Sequence, residues 1–190
     1  MNKNILLCGV GGQGTVLASK LLAAAAMAKD INVMSAETIG MAQRGGSVFS
    51  HLRMGDDIYS PMLAKGTADI IIGFEPAEAV RMLDYLKPDG LVVTNSNPIM
   101  PVTAALKNSD YTGAEMIDYI KKQVKNLIVI DGKSACEALG SGKVLNMVLL
   151  GAALGSGNLP VTIDDLKEAI KNKLKPEMCE LNFRALEYAR

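Results

Sequence analysis

Short apolar runs and longer Ala/Leu-rich or amphipathic stretches alternate along this chain. Ile5-Leu6-Leu7-Cys8 is a continuous apolar run that ends in Gly9-Val10-Gly11-Gly12-Gln13-Gly14, and the residues from Thr15 to Lys29 predict a helix. Asp30 breaks that helix, and Ile31 to Ala36 predicts the next strand, completing a strand–loop–helix–strand unit. Glu37 to Ser60 has a different character, punctuated by Gly40, Gly45, Gly46 and Gly55. Within it, Ser47-Val48-Phe49-Ser50-His51-Leu52-Arg53 alternates small or polar with apolar residues, the pattern of a half-exposed strand.

The α/β rhythm then resumes. Asp69-Ile70-Ile71-Ile72-Gly73 predicts a buried strand, Glu75-Pro76 opens a helix to about Leu86, Lys87-Pro88-Asp89-Gly90 a turn, and Leu91 to Asn95 a further strand that Asn97-Pro98 ends. A polar helix from Gly113 to Lys125 precedes a last buried strand, Leu127 to Asp131. Helices are then predicted at Lys133–Leu139, Lys143–Leu154, Ile163–Leu174 and Met178–Ala189, with Ser156 to Pro160 as a loop. No Pro/Gly/Ser-rich linker or repeat divides the chain, so residues 1–190 are expected to form one domain. The expected class is α/β: a Rossmann-like, doubly wound, mostly parallel sheet with helices on both faces and a helical C-terminal region.

Composition sharpens this. Hydrophobic residues make up 49% and aromatics only 4%, with no Trp, which suits aliphatic helices packed on a parallel sheet. Twenty basic residues balance twenty acidic ones, so there is no excess charge to neutralise phosphates and nucleic acid is a poor partner. The longest apolar stretch, Val16 to Ala28, is interrupted by Ser19 and Lys20 and falls short of the roughly 20 residues that span a bilayer. Met1-Asn2-Lys3-Asn4 leads directly into a strand with no cleavage-type site, and the chain reads as cytoplasmic with no membrane partner. Cys8, Cys136 and Cys179 stand far apart without a Cys-x-x-Cys pair, so cysteines of this chain alone are not expected to ligate zinc or an iron–sulfur cluster.

The candidate chemistry centres on Gly9-x-Gly11-x-x-Gly14, placed after a strand and before a helix. Glycines permit a tight turn and close approach of a ligand, and a helix start favours an anion; the same glycines also serve a turn that only packs helix on sheet. A dinucleotide site wants an acid at the end of the second strand, and Glu37 comes slightly late. No Lys-Ser/Thr follows the glycines at P-loop spacing. His51 is the sole histidine, which excludes His pairs from this chain, and its place on an alternating strand suits a structural or interfacial role; Ser47 and Ser50 lie nearby without an acid spaced for a triad. Arg44, in a glycine-rich turn after Gln43, suits an anion or a partner contact equally. No catalytic residue is assigned.

Three segments together carry a resemblance: Gly9 to Gly14; Glu37-Thr38-Ile39-Gly40-Met41-Ala42-Gln43-Arg44-Gly45-Gly46-Ser47-Val48; and Gly73-Phe74-Glu75-Pro76-Ala77-Glu78-Ala79. They resemble the gamma-type domain of 2-oxoacid:ferredoxin oxidoreductases, the middle segment most specifically. Tyr85 to Asn95, followed by Pro98-Ile99-Met100-Pro101-Val102, is similar to the small subunit of the indolepyruvate branch. The resemblance implies a share in converting an aryl 2-oxoacid and coenzyme A (CoA) to acyl-CoA and carbon dioxide, with electrons passing to ferredoxin. Thiamine diphosphate and iron–sulfur clusters are then expected in a large (alpha) partner subunit; the thiamine pattern Gly-Asp-Gly is not met here, since its nearest approach, Gly55-Asp56-Asp57, lacks the second glycine and the Asn-Asn pair that should follow. Related enzymes run their glycine loop into a stretch similar to Gly14-Thr15-Val16-Leu17-Ala18-Ser19-Lys20 and are thought to contact CoA there. This makes Gly9, Gly11, Gly12, Gln13, Gly14, Thr15, Lys20 and Arg44 the candidate binding set, with a purely structural loop as the alternative. Other readings are a gamma subunit for pyruvate, 2-oxoglutarate or branched-chain 2-oxoacids, an NAD-binding dehydrogenase, and a nucleotide-sensing module. Met34, Met41, Met54 and Met62 suit a subunit interface or a core.

Overall fold

The computed structural model describes residues 2–39, 45–100 and 111–189. Six strands form one sheet: β1 (Lys3–Val10), β2 (Val33–Ile39), β3 (Ser47–Met54), β4 (Ala68–Gly73), β5 (Leu86–Asn95) and β6 (Asn126–Ile130), in the order β2-β3-β1-β4-β5-β6. β1 pairs parallel with β4, β4 with β5, and β5 with β6, while β3 runs antiparallel to both β1 and β2. Five strands therefore share one direction and β3 opposes them. The helices are α1 (Thr15–Met27), α2 (Pro76–Arg81), α3 (Ala114–Gln123), α4 (Gly132–Leu139), α5 (Leu145–Gly155), α6 (Ile163–Lys173) and α7 (Pro176–Tyr188).

The two faces of β1 separate the core into two clusters, because side chains alternate along a strand. Ile5 and Leu7 pack with Ala18, Leu21, Leu22 and Ala25 of α1, and with α5, α6 and α7. Leu6 and Cys8 point the other way, against Ala79 of α2, Met82 and Ile120 of α3. Helices thus cover both faces, and the helical C-terminal region joins α1 on one of them. α5 is buried along almost its whole length, since apolar Met147 to Leu154 meets both the sheet and α7. Gly151 makes that contact close: a Cβ there would collide with the backbone carbonyl of Leu186. α6 begins at a capping box in which Thr162 accepts from the Asp165 amide (3.2 Å) and Asp165 accepts from the Thr162 amide (2.8 Å).

Three local expectations change. β3 is not half-exposed: it lies between β1 and β2, with Val48, Ser50, His51, Leu52 and Met54 buried, and the exposed edge falls to β2. β2 therefore does not neighbour β1. Lys87 to Gly90 is not a turn but a bulge within β5, where Ala68 pairs with Leu86 and Ile70 already pairs with Leu91. Lys87 is held there by Asp69 (2.6 Å). The helix expected up to Leu86 stops at Arg81 and gives way to a 3₁₀ turn at Leu83–Tyr85.

Candidate functional site at the carboxyl ends of the parallel strands

Parallel pairing brings the ends of β1, β4, β5 and β6 to one edge of the sheet, and the antiparallel β3 begins at that same edge. The three segments that carry the resemblance meet there. Gly11 donates its amide to the Gly46 carbonyl (2.8 Å), joining the glycine loop to the start of β3. Ser47 donates its hydroxyl to Glu78 of α2 (2.6 Å). Gln13 reaches across, accepting from the Val10 amide (2.8 Å) and donating to the Phe74 carbonyl (2.8 Å).

Asn95, at the end of β5, donates to the same Phe74 carbonyl (3.2 Å) and accepts from the Gly132 amide (3.1 Å). Asn97 accepts from the Lys133 amide (2.7 Å). A row of carboxamides thus ties β1, β4, β5 and the start of α4 together. Sequence reading passed over Asn95 and Asn97. The only available signal was an amide side chain at a strand's carboxyl end shortly before Pro98, in the fold position where ligands or caps gather.

The glycines divide by role. A Cβ on Gly9 would lie 2.7 Å from both Gln13 Oε1 and Phe74 Cβ, and one on Gly14 would lie 2.8 Å from Asn146 Nδ2. Those two glycines have packing reasons. Gly12, with φ at +101°, has no atom of the described residues within 4 Å of where a Cβ would stand. α1 starts at Gly14 with no side-chain cap and no acid in its first turn, a helix end that electrostatics leaves receptive to an anion. A cleft of about 400 Å³ lies over it, lined by Val10, Gly11, Gly12, Gly14, Thr15 and Val48. A second, of about 480 Å³, lies beyond Gln13 against Asn95, Pro98, Ile99, Lys133 and Leu145.

Other candidates are placed as follows. Thr15 is buried, and its hydroxyl has no partner among the described residues. Lys20 is exposed on α1, five residues and so about 8 Å of helix rise beyond Thr15. Arg44 lies outside the described residues; Gly45, the next in the chain, donates to the Gly11 carbonyl (3.5 Å). Glu37 stands on β2 opposite Ser50, and β3 separates it from β1 by two strand spacings, about 10 Å. His51 is fully buried; its Nδ1 accepts from the Leu63 amide (3.2 Å), and Phe49 and Tyr85 meet its ring edge-on. Met54 is buried and Met62 exposed, while Met41 lies outside the described residues.

Two buried carboxylates set the local electrostatics. Glu75 caps α2 by accepting from the Glu78 amide (3.0 Å) and also accepts from the Tyr111 hydroxyl (2.7 Å). Glu78 pairs with Arg81 (3.2 Å). Burial, and then Glu78 and Glu75, push the Cys8 thiol far up, so it stays protonated. Burial, and then the bond to Glu75, likewise push the Tyr111 phenol up. Among the described residues, no group of three or more His, Cys, Asp or Glu is placed to hold a metal ion, and no helix is long and apolar enough to cross a membrane.

The model of the pyruvate ferredoxin/flavodoxin oxidoreductase family matches residues 4–190. The chain is 38% identical to the indolepyruvate oxidoreductase subunit IorB of Archaeoglobus fulgidus over 98% of its length and 93% of that protein. It is 29% identical to the pyruvate/ketoisovalerate oxidoreductases common subunit gamma of Pyrococcus furiosus, over 95% of this chain and 91% of that one. Among solved structures, the pyruvate oxidoreductase subunit PORC of Thermotoga maritima shares the fold at a TM-score of 0.71 and 20% identity, covering 99% of this chain and 94% of that one. A 2-oxoglutarate:ferredoxin oxidoreductase from Magnetococcus marinus, solved with 2-oxoglutarate, coenzyme A and succinyl-CoA, shares it at 0.74 and 21%; there 99% of this chain matches only 30% of a longer one. The chain belongs to the pyruvate ferredoxin/flavodoxin oxidoreductase family, as a gamma-type subunit of a 2-oxoacid:ferredoxin oxidoreductase.

Proposed function

We propose that this chain is the small subunit of an arylpyruvate oxidoreductase, acting on indolepyruvate and its kind, and that its 190 residues work as a single domain in the cytoplasm. The observation that carries the substrate class is identity of 38% to an IorB subunit against 29% to a pyruvate/ketoisovalerate gamma subunit, each over nearly the whole chain. The large partner subunit carries thiamine diphosphate and the iron–sulfur clusters, which supply decarboxylation and electron transfer to ferredoxin. This chain contributes the glycine loop to the CoA site. Three features support that assignment. α1 starts uncapped, no described residue crowds the Cβ position of Gly12, and Lys20 is an exposed cation further along the same helix. Gly9, Gly11, Gln13 and Gly14 shape the loop, while Thr15 and Arg44 complete the set.

The test is reconstitution with the large subunit under anaerobic conditions, assaying reduction of ferredoxin by arylpyruvates with CoA. Activity should need both chains and favour indolepyruvate over pyruvate; preference for pyruvate would overturn the substrate class. Lys20→Ala should raise KM for CoA by about tenfold, the value of one charge-assisted contact, with kcat little changed. An unchanged KM would remove Lys20 from the CoA site.

A further inference from the structure

We infer that Gln13 sets the ligand specificity of the glycine loop: its carboxamide closes the crevice between β1 and β4 against a dinucleotide pyrophosphate and leaves only the outer side of the loop for an anion. The topology makes that crevice the expected ligand position. α1 leaves β1 toward one face of the sheet and α2 leaves β4 toward the other, so the gap between the two strand ends is a topological switch point. The glycine spacing is also that of a dinucleotide loop.

The crevice is filled from within. Gln13 Oε1 takes the Val10 amide and Nε2 gives to the Phe74 carbonyl, each at 2.8 Å, so one side chain bridges both strand ends. Gly9 supplies the room, since its missing Cβ would sit 2.7 Å from that same Oε1. The first glycine of the fingerprint therefore serves the plug. Asn95 backs it by donating to the same Phe74 carbonyl at 3.2 Å. Beside it lies the Thr15 hydroxyl, 3.1 Å from the same point off Gly9, buried and without a partner among the described residues. A ligand phosphate entering in place of Gln13 would find two donors already in position, the Val10 amide and the Thr15 hydroxyl. The inference concerns the inner side of the loop; it shares Gln13 and Thr15 with the proposed CoA set but does not depend on CoA binding there.

The experiment is a titration of the full chain with NADH, followed by fluorescence, and with ADP, followed by calorimetry, for the wild type, Gln13→Ala and Gln13→Ser. Both variants should bind NADH and ADP at least tenfold more tightly than the wild type. Adding Thr15→Val to Gln13→Ser should cancel that gain, a response that a merely structural Gln13 would not give. Circular dichroism establishes which variants fold, and Gln13→Asn, one methylene too short to span the two strand ends, serves as a milder opening. Wild-type binding as tight as that of the variants overturns the inference. So does the absence of a tenfold gain in folded variants, or loss of the fold in all three, which would make Gln13 structural alone. CoA binding that persists while the NADH gain fails would sink this inference and leave the CoA reading standing.

Discussion

At the residue scale, the sharpest contrasts are between polar groups that find partners and those that do not. Gln13, Asn95 and Asn97 are all engaged, whereas His51 offers Nδ1 to the Leu63 amide and keeps Nε2 without a partner among the described residues. Nδ1 must be unprotonated to accept that bond, so the imidazole is neutral in the folded protein, and burial lowers its pKa below the ordinary value. The sign follows from proton counting. Below the ordinary histidine pKa near 6.5 the unfolded chain binds a proton that the folded chain resists, so stability falls as pH falls through that value. The slope contributed by this one group appears as pH falls below that value and flattens above pH 7. Urea unfolding of the wild type and of His51→Asn between pH 7 and pH 5 should show the variant losing less stability on acidification. Equal losses would show that other groups carry the acid sensitivity.

The same contrast explains what the sequence disclosed about the site. The glycine spacing and its place between strand and helix were visible because both are local. The partner of the Gln13 carboxamide, Phe74, lies 61 residues away, and nothing near Gln13 announces it. Glu75 and Glu78 stood in a recognisable segment, but their burial against Tyr111 and Ser47 is a product of the assembled edge.

At the scale of elements, strands buried on both faces were the most legible, because a continuous run such as Ile70-Ile71-Ile72 has few other places to go. β3 was misjudged because its polar positions are buried by neighbours on both sides, Ser50 and His51 among them, and strand order is decided by connections rather than by alternation. The bulge at Lys87 to Gly90 carries turn residues for a related reason: Pro88 and Asp89 are exposed while Gly90 passes within 3.1 Å, measured from its missing Cβ, of the Ala68 carbonyl. α5 and α7 approach through Gly151, so Gly151→Ala must push the Leu186 backbone away. Overpacking of this kind costs roughly 1–3 kcal/mol, which lowers Tm by about 2–12 °C in a chain of this size. An unchanged melting temperature would mean that α7 shifts freely and that the contact carries no stability.

At the scale of the whole molecule, a small subunit meets its larger partner through its surface. The fold matches 30% of the longer Magnetococcus marinus chain and 93% of the Archaeoglobus fulgidus IorB subunit. The edge at the ends of the parallel strands suits the task, since it joins the glycine loop to a cleft of about 480 Å³ whose lip carries Ile99, and Ile99 and Met100 are both substantially exposed. The floor of that cleft offers an occupant little hydrogen bonding, since Asn95 and Asn97 already satisfy one another's segments and the α4 amides. The cleft also carries the exposed charges of Lys133 and Glu137, but its lining is mostly apolar, and apolar contact is what fixes most stable interfaces at their centres. Hydrogen exchange of the chain alone and in complex with the large subunit should therefore show new protection at Gly11–Val16 and at Ile99–Met100. The exposed face of α6 should stay unchanged. Protection concentrated on α6 and α7 instead would place the partner on the opposite side of the core, and would leave the glycine loop open to solvent in the working enzyme.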